Sequence, residues 1–399
     1  MARPPARLAA RRLLPLLALL GGLPLAGCDS GDPQTNDFLI FGVNITRLFD
    51  VPPTAAEEAA VLAEWAARSP EPVDVQIVEE AAVDGARLVV LSHEMREPGG
   101  GAAFRHYGVV RIPDGAANAP VLVVNHGGDD GFDLASALAI MEGYPSVYDA
   151  TVIVMPTYRS ESVRTSGVAG LGETYASGGG PSPWDYDVDD TIALMEAALD
   201  LFAAETDAER IGTLGLSRGG DVSLLLAVRD ERIDAVTEYF GPADFFDPTI
   251  RLLAIGALAG SPAALGLPGA EYLRANVLLP LQGPGGTYDA GADYARARLE
   301  ILRRSPARFT ERLPHLQVHH HRRDGVVPFA QSTALDAAVQ AAGTGGEYAF
   351  YPYGDAPASD ADLSGEYHDP FAMPESFART VAFLEEHLLT PTFAGAWGD

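Results

Sequence analysis

The chain has 399 residues, 47% of them hydrophobic, enough for one large domain or for a domain with an inserted cap. Its 27 basic side chains face 55 acidic ones, and a formal charge of −28 repels phosphate backbones, which disfavours nucleic-acid binding. Every basic residue is arginine, which excludes Schiff-base, Walker-lysine and Ser–Lys chemistry and leaves histidine or a carboxylate as any catalytic base.

In chain order, Arg3, Arg7, Arg11 and Arg12 precede an apolar run from Leu13 to Leu25. That run is too short for a membrane span and has the build of a signal peptide over residues 1–27. The single cysteine, Cys28, closes Leu25-Ala26-Gly27-Cys28 and can form no internal disulfide. This ending resembles the lipobox of bacterial lipoproteins. The resemblance implies lipidation at Cys28 and an exported, membrane-anchored protein on the bacterial cell envelope. The alternative is an ordinary secretory signal in which the cysteine is incidental. Residues 28–72 read as a polar tether followed by an N-terminal segment with one helix, Thr54 to Arg68, serving as a brace or a docking piece.

The main domain is expected over residues 73–390. Val73–Val78, Arg87–Ser92 and Tyr107–Ile112 alternate as early antiparallel strands. Val121–Val124 is a continuous apolar run, as in a strand buried on both faces, and Thr151–Met155, Ile211–Leu214, Ala235–Tyr239 and Leu316–His320 follow in the same style. Helical patterns at Asp187–Ala204, Gly219–Val228 and Phe329–Ala341 alternate with them. The fold class is therefore α/β, a mostly parallel central sheet flanked by helices. Ser160 to Pro183 reads as a rim loop, and residues of about 246–312 as a helical cap insertion that includes Tyr294–Arg304.

Gly215-Leu216-Ser217-Arg218-Gly219 follows a strand and opens a helix, the context that a nucleophile elbow requires. Ser217 is the candidate nucleophile, at a helix N-terminus that favours developing negative charge. A serine hydroxyl needs a histidine held by a carboxylate, and in this arrangement the chain order is serine, acid, histidine. Asp324, just past the strand at Leu316–His320, and His368, in Gly365-Glu366-Tyr367-His368, satisfy that order. His315, before its strand, His319–His321, in or just after it, and His387, in the terminal helix, are weaker as bases, and Asp336, in a helix, and Asp355, in a later loop, are weaker as acids. Val124-Asn125-His126-Gly127-Gly128 ends an early strand, so the backbone N–H groups of Gly128 and Arg218 are the candidate oxyanion donors.

No metal or cofactor is expected, because three consecutive histidines on a strand face alternate sides and do not converge on one ion. Asp185, Asp187, Asp189 and Asp190 read as carboxylates that offset a helix dipole.

Taken together, these motifs resemble the catalytic domain of the prolyl oligopeptidase family. Gly219-Gly220 gives the double glycine after the serine; Gly241-Pro242-Ala243-Asp244-Phe245, Ser305-Pro306, Asp324-Gly325-Val326-Val327-Pro328 and Thr157-Tyr158-Arg159 are similar to other segments of that domain. The resemblance covers about Val73 to Leu388 and implies an α/β-hydrolase fold and a serine peptidase. The sequence departs from the family in three places: His320-His321 ahead of the acid, Tyr367 before the histidine, and His126 where a donor tyrosine is usual. No propeller fits before Val73. An esterase acting on small esters, like acetyl esterases and dienelactone hydrolases, uses the same triad. A non-catalytic surface binding protein on a hydrolase scaffold is the reading from another class. The expected partners are a peptide or small ester and, through Cys28, a membrane.

Overall fold

The alternation that begins at Val73 folds as three long antiparallel strands: β1 (Val73–Val83), β2 (Ala86–Arg96) and β3 (Ala103–Pro113). They are seen in a computed structural model that describes residues 38–390, apart from 69, 84, 98–100 and 284–292. The expected signal peptide and Cys28 lie outside the described residues. Six further strands complete a nine-stranded sheet: β4 (Ala119–Asn125), β5 (Val152–Pro156), β6 (Thr206–Leu216), β7 (Ile233–Tyr239), β8 (His315–His321) and β9 (Tyr348–Tyr353). The order across the sheet is β9-β8-β7-β6-β4-β5-β3-β2-β1, parallel from β9 to β5 and antiparallel beyond.

Successive side chains of a strand point to opposite faces. Val121 and Val123 of β4 accordingly join one hydrophobic cluster, and Leu122 and Val124 join the other. Helices α2 (Asp185–Leu201) and α3 (Arg218–Arg229) cover the first face, together with α6 (Ala330–Ala342). Helix α7 (Pro374–Leu384) and the helix Leu134–Met141 cover the second.

Three expectations need correction. β9 was not expected from the sequence, and His315, placed before its strand, is the first residue of β8. The rim loop carries two short paired strands, Ser162–Arg164 and Thr174–Ala176.

Between β7 and β8 the chain, from residue 248 on, is mostly helical where it is described, with α4 (Pro248–Leu258), several short turns and α5 (Tyr294–Leu302). The N-terminal segment straps this insertion. Helix α1 (Ala55–Ala66) starts with a capping box between Thr54 and Glu57. The Arg298 guanidinium of α5 bonds Glu57 at 2.6 Å and the carbonyls of Leu48, Val51 and Pro52 at 3.1, 2.9 and 3.2 Å. The Arg298 hydrogen bond lowers the Glu57 carboxyl to about 2. Arg251 of α4 pairs with Asp50 at 3.1 Å, and the Tyr294 hydroxyl accepts the Asn44 N–H at 2.7 Å. Residues 38–66 thus act as a brace.

Candidate active site

β6 ends in a turn that only glycine permits on either side of Ser217. A Cβ on Gly215 would lie 1.9 Å from the Gly219 carbonyl oxygen, and one on Gly219 would lie 2.1 Å from that of Asn125. The close approach forces Ser217 to φ 58°, ψ −124°, a conformation that non-glycine residues rarely adopt. Ser217 therefore stands at the head of α3, where the first helical amides have no partner within the helix. Its own N–H is held by the Tyr239 carbonyl at 2.9 Å, at the C-terminal end of β7. Ser217 Oγ makes no protein hydrogen bond among the described residues, so a serine–histidine bond is not formed in this state.

The structure brings Asp324 and His368 together. Asp324 follows β8, His368 follows β9, and His368 Nδ1 lies 2.7 Å from Asp324 Oδ2. The other carboxylate oxygen accepts the N–H groups of Val326 and Val327 at 2.7 and 3.1 Å. The two loops are stitched by backbone bonds, Gly325 N–H to Ser364 O at 3.1 Å and Ser364 N–H to Arg323 O at 3.0 Å. Burial alone would push the Asp324 carboxyl up. Electrostatic attraction to the His368 ring, with hydrogen bonds from His320 and His368, holds it well below the usual carboxylate range. Phe240, the residue after β7, packs on the His368 ring with centroids 4.4 Å apart. One end of β7 thereby fixes both the serine's amide and the histidine's ring.

The two residues expected as oxyanion donors touch through the Arg218 side chain. Arg218 Nη1 donates to the Gly128 carbonyl at 3.0 Å, and Gly128 takes φ 79°. Gly127, which sequence reasoning passed over, abuts the serine: a Cβ there would lie 2.9 Å from Ser217 Cβ. His126 turns inward, stacking on Tyr158 with centroids 4.2 Å apart, and burial lowers its pKa to about 3. A neutral, buried ring is not placed to copy the family's tyrosine donor.

The acidic start of α2 needs a further correction. Asp185, Asp187, Asp189 and Asp190 are buried, and each meets an arginine rather than only the helix dipole. Arg218 bonds Asp187 at 2.7 and 2.8 Å and Glu161 at 2.6 Å. Arg159 grips Asp190 at 2.6 and 3.1 Å, while Arg68 bridges Asp185 and Asp189 at 2.8 and 3.0 Å. Buried ions are tolerated only when paired, and the arginines meet that demand. The consecutive histidines part company as expected: His319 bonds Tyr353 and Gln317, and His320 bonds Ser332 and Val327.

Glu238, near the end of β7, is buried behind the elbow with its Oε1 on the Gly241 N–H and its Oε2 unpartnered. Burial raises its pKa from 4.5 to about 8. The stability tied to this group is full below about pH 4.5 and is lost as the pH rises through about 8. Glu238→Gln, an isostere of the protonated acid, should flatten the fall in stability between pH 5 and pH 9 by roughly 3–5 kcal/mol. Urea unfolding at both pH values reads this directly, and an unchanged slope would contradict it.

A cavity of about 120 Å³ opens on Ser217. The insertion supplies Leu253, Ala254 and Leu273 to its wall, the N-terminal strap supplies Phe49, and the loop after Asp324 supplies Val327.

No family model and no curated protein matches the chain. Its fold is similar to that of a ligand-bound rice cell wall degrading esterase LipA from Xanthomonas oryzae, at 16% identity. That match covers 81% of this chain and 99% of that one, with a TM-score of 0.52. An acetyl xylan esterase from Paenibacillus sp. R4 is 17% identical over 84% of this chain and 98% of its own, with a TM-score of 0.51. Acylaminoacyl peptidase from Pyrococcus horikoshii is 15% identical over 81% of this chain and 50% of its own, with a TM-score of 0.45. The first two likenesses establish the α/β-hydrolase fold and do not single out the prolyl oligopeptidase family.

Proposed function

We propose that the chain is a serine hydrolase that cleaves carboxylic esters through an acyl-enzyme. Ser217 Oγ attacks the acyl carbon and gives its proton to His368, whose Nδ1 stays on Asp324. The N–H groups of Arg218 and Gly128 receive the oxyanion, with the head of α3 adding its dipole. His368 then returns the proton to the leaving oxygen. Water, activated by the same histidine, clears the acyl group from Ser217. The 2.7 Å contact between His368 and Asp324, on loops from two different strands, is the observation that carries this reading. A scaffold kept only for binding has no need to hold a buried carboxylate ionised against a histidine.

Peptide cleavage uses the same groups, and the prolyl-oligopeptidase-like motifs favour it as the second reading. The cavity beside Ser217 favours the ester. Its polar liners are spent elsewhere, since Gln331 Oε1 accepts the N–H groups of Ala243 and Asp244 and the Arg218 guanidinium is bound by Asp187 and Glu161. Among the described liners only Trp184 Nε1 and Ser217 Oγ are left without a protein partner, too few polar groups to take up a peptide main chain. A matched pair of substrates decides the matter: a Pro- or Ala-linked peptidyl amide and the corresponding ester, with the Ser217→Ala variant as control. Ester turnover at least 10³-fold above amide turnover is expected; comparable amide cleavage that vanishes in the variant would make the protein a peptidase.

A further inference from the structure

The cavity at Ser217 has a definite size, lining and side of approach, and these specify more than the bond class. Beyond Ser217 and Trp184 Nε1, its wall among the described residues is apolar, since the polar groups of Gln331 and Arg218 are committed elsewhere. Its volume of about 120 Å³ is slightly below that of an engineered apolar cavity of about 150 Å³ that stays dry and takes up benzene. Such a space holds one ring or a chain of about four to six carbons.

The reacting groups say which half of the substrate enters. A leaving group must stand where His368 can protonate it, and His368 does not line the cavity. Ser217 and Arg218, which face the acyl carbon and its oxyanion in the reading above, do line it.

From this we infer that the cavity is an acyl pocket and that the enzyme selects esters of apolar acids of about four to six carbons, in preference to acetyl esters. This rests on the serine-hydrolase reading and narrows it. Phe49 makes the N-terminal strap part of the specificity wall, so the strap helps to build the pocket.

The test uses p-nitrophenyl esters from acetate to dodecanoate with the protein from Asp29 onward, alongside labelling of Ser217 by a fluorophosphonate. Each methylene buried in the pocket raises kcat/KM by about fourfold, so hexanoate should exceed acetate by on the order of 10², with a fall beyond about six carbons. Ala254→Phe projects a ring into the pocket and should cut the hexanoate-to-acetate ratio at least tenfold, a ratio that partial unfolding does not change. Labelling of Ser217 with a flat profile, or with acetate fastest, would overturn the acyl-pocket inference and leave the serine hydrolase standing. Absence of both labelling and turnover would overturn both.

Discussion

Ser217→Ala should lower kcat/KM for an activated ester by a factor on the order of 10⁴–10⁶ and leave thermal stability nearly unchanged. The size follows from what is lost: the only atom able to form the acyl-enzyme, with the histidine and oxyanion donors left nothing to act upon. The silence in stability follows from the geometry. Ser217 Oγ has no protein partner among the described residues, so its removal leaves no buried group unsatisfied. Alanine at φ 58° is as strained as serine there, and the change should stay within about 0.5 kcal/mol. Steady-state kinetics beside a thermal melt reads both numbers. Turnover that survives in a folded variant would remove Ser217 from the mechanism.

Asp324→Asn is expected to cost on the order of 10⁴ in kcat, for a different reason. An asparagine can keep the carbonyl oxygen that accepts the Val326 and Val327 amides, so the loop holds its shape. It must then present an NH₂ group to His368 Nδ1 where a carboxylate now stands at 2.7 Å. That inverts the tautomer and puts a proton on the nitrogen that should take one from Ser217. His320 also approaches Asp324 Oδ2, at 3.4 Å, but it is tied to Ser332 at 2.6 Å. Replacing His320 by Gln should therefore cost less than tenfold, which separates the working histidine from its neighbour. A loss in that variant equal to the loss in Asp324→Asn would exchange the two assignments. Because Asp324 is held well below the usual carboxylate range, it stays ionised throughout neutral pH, and rate changes there arise elsewhere.

What the sequence disclosed and what it hid divide along physical lines. The elbow was legible because sterics leave no choice: Gly215 and Gly219 are required by clashes of about 2 Å, and a strand and a helix must bracket them. Asp324 and His368 were legible because chain order and parallel strands put both loops at one end of the sheet. β9 was missed because it is an edge strand, only partly buried along most of its length, with no Val, Ile or Leu and with Pro352 breaking its aromatic run. The carboxylates of α2 were misjudged because their partners are distant in sequence. Arg68 and Asp185 are 117 residues apart, and local patterning sees only four acids at a helix start. Gly127 was overlooked beside Gly128 because two adjacent glycines look alike until the serine is placed against one of them.

The strap across the insertion has a kinetic consequence. Many ester hydrolases that work at oil–water boundaries carry a hinged flap and accelerate abruptly when substrate forms droplets. Here Arg298 rivets the roof to four groups of the N-terminal segment, and Arg251 adds a fifth attachment at Asp50. Among the described residues these attachments tie the roof to the segment that carries Phe49, so the chamber beneath it is already shaped. If the proposed ester hydrolysis holds, the rate should follow the concentration of dissolved, single ester molecules smoothly as micelles appear.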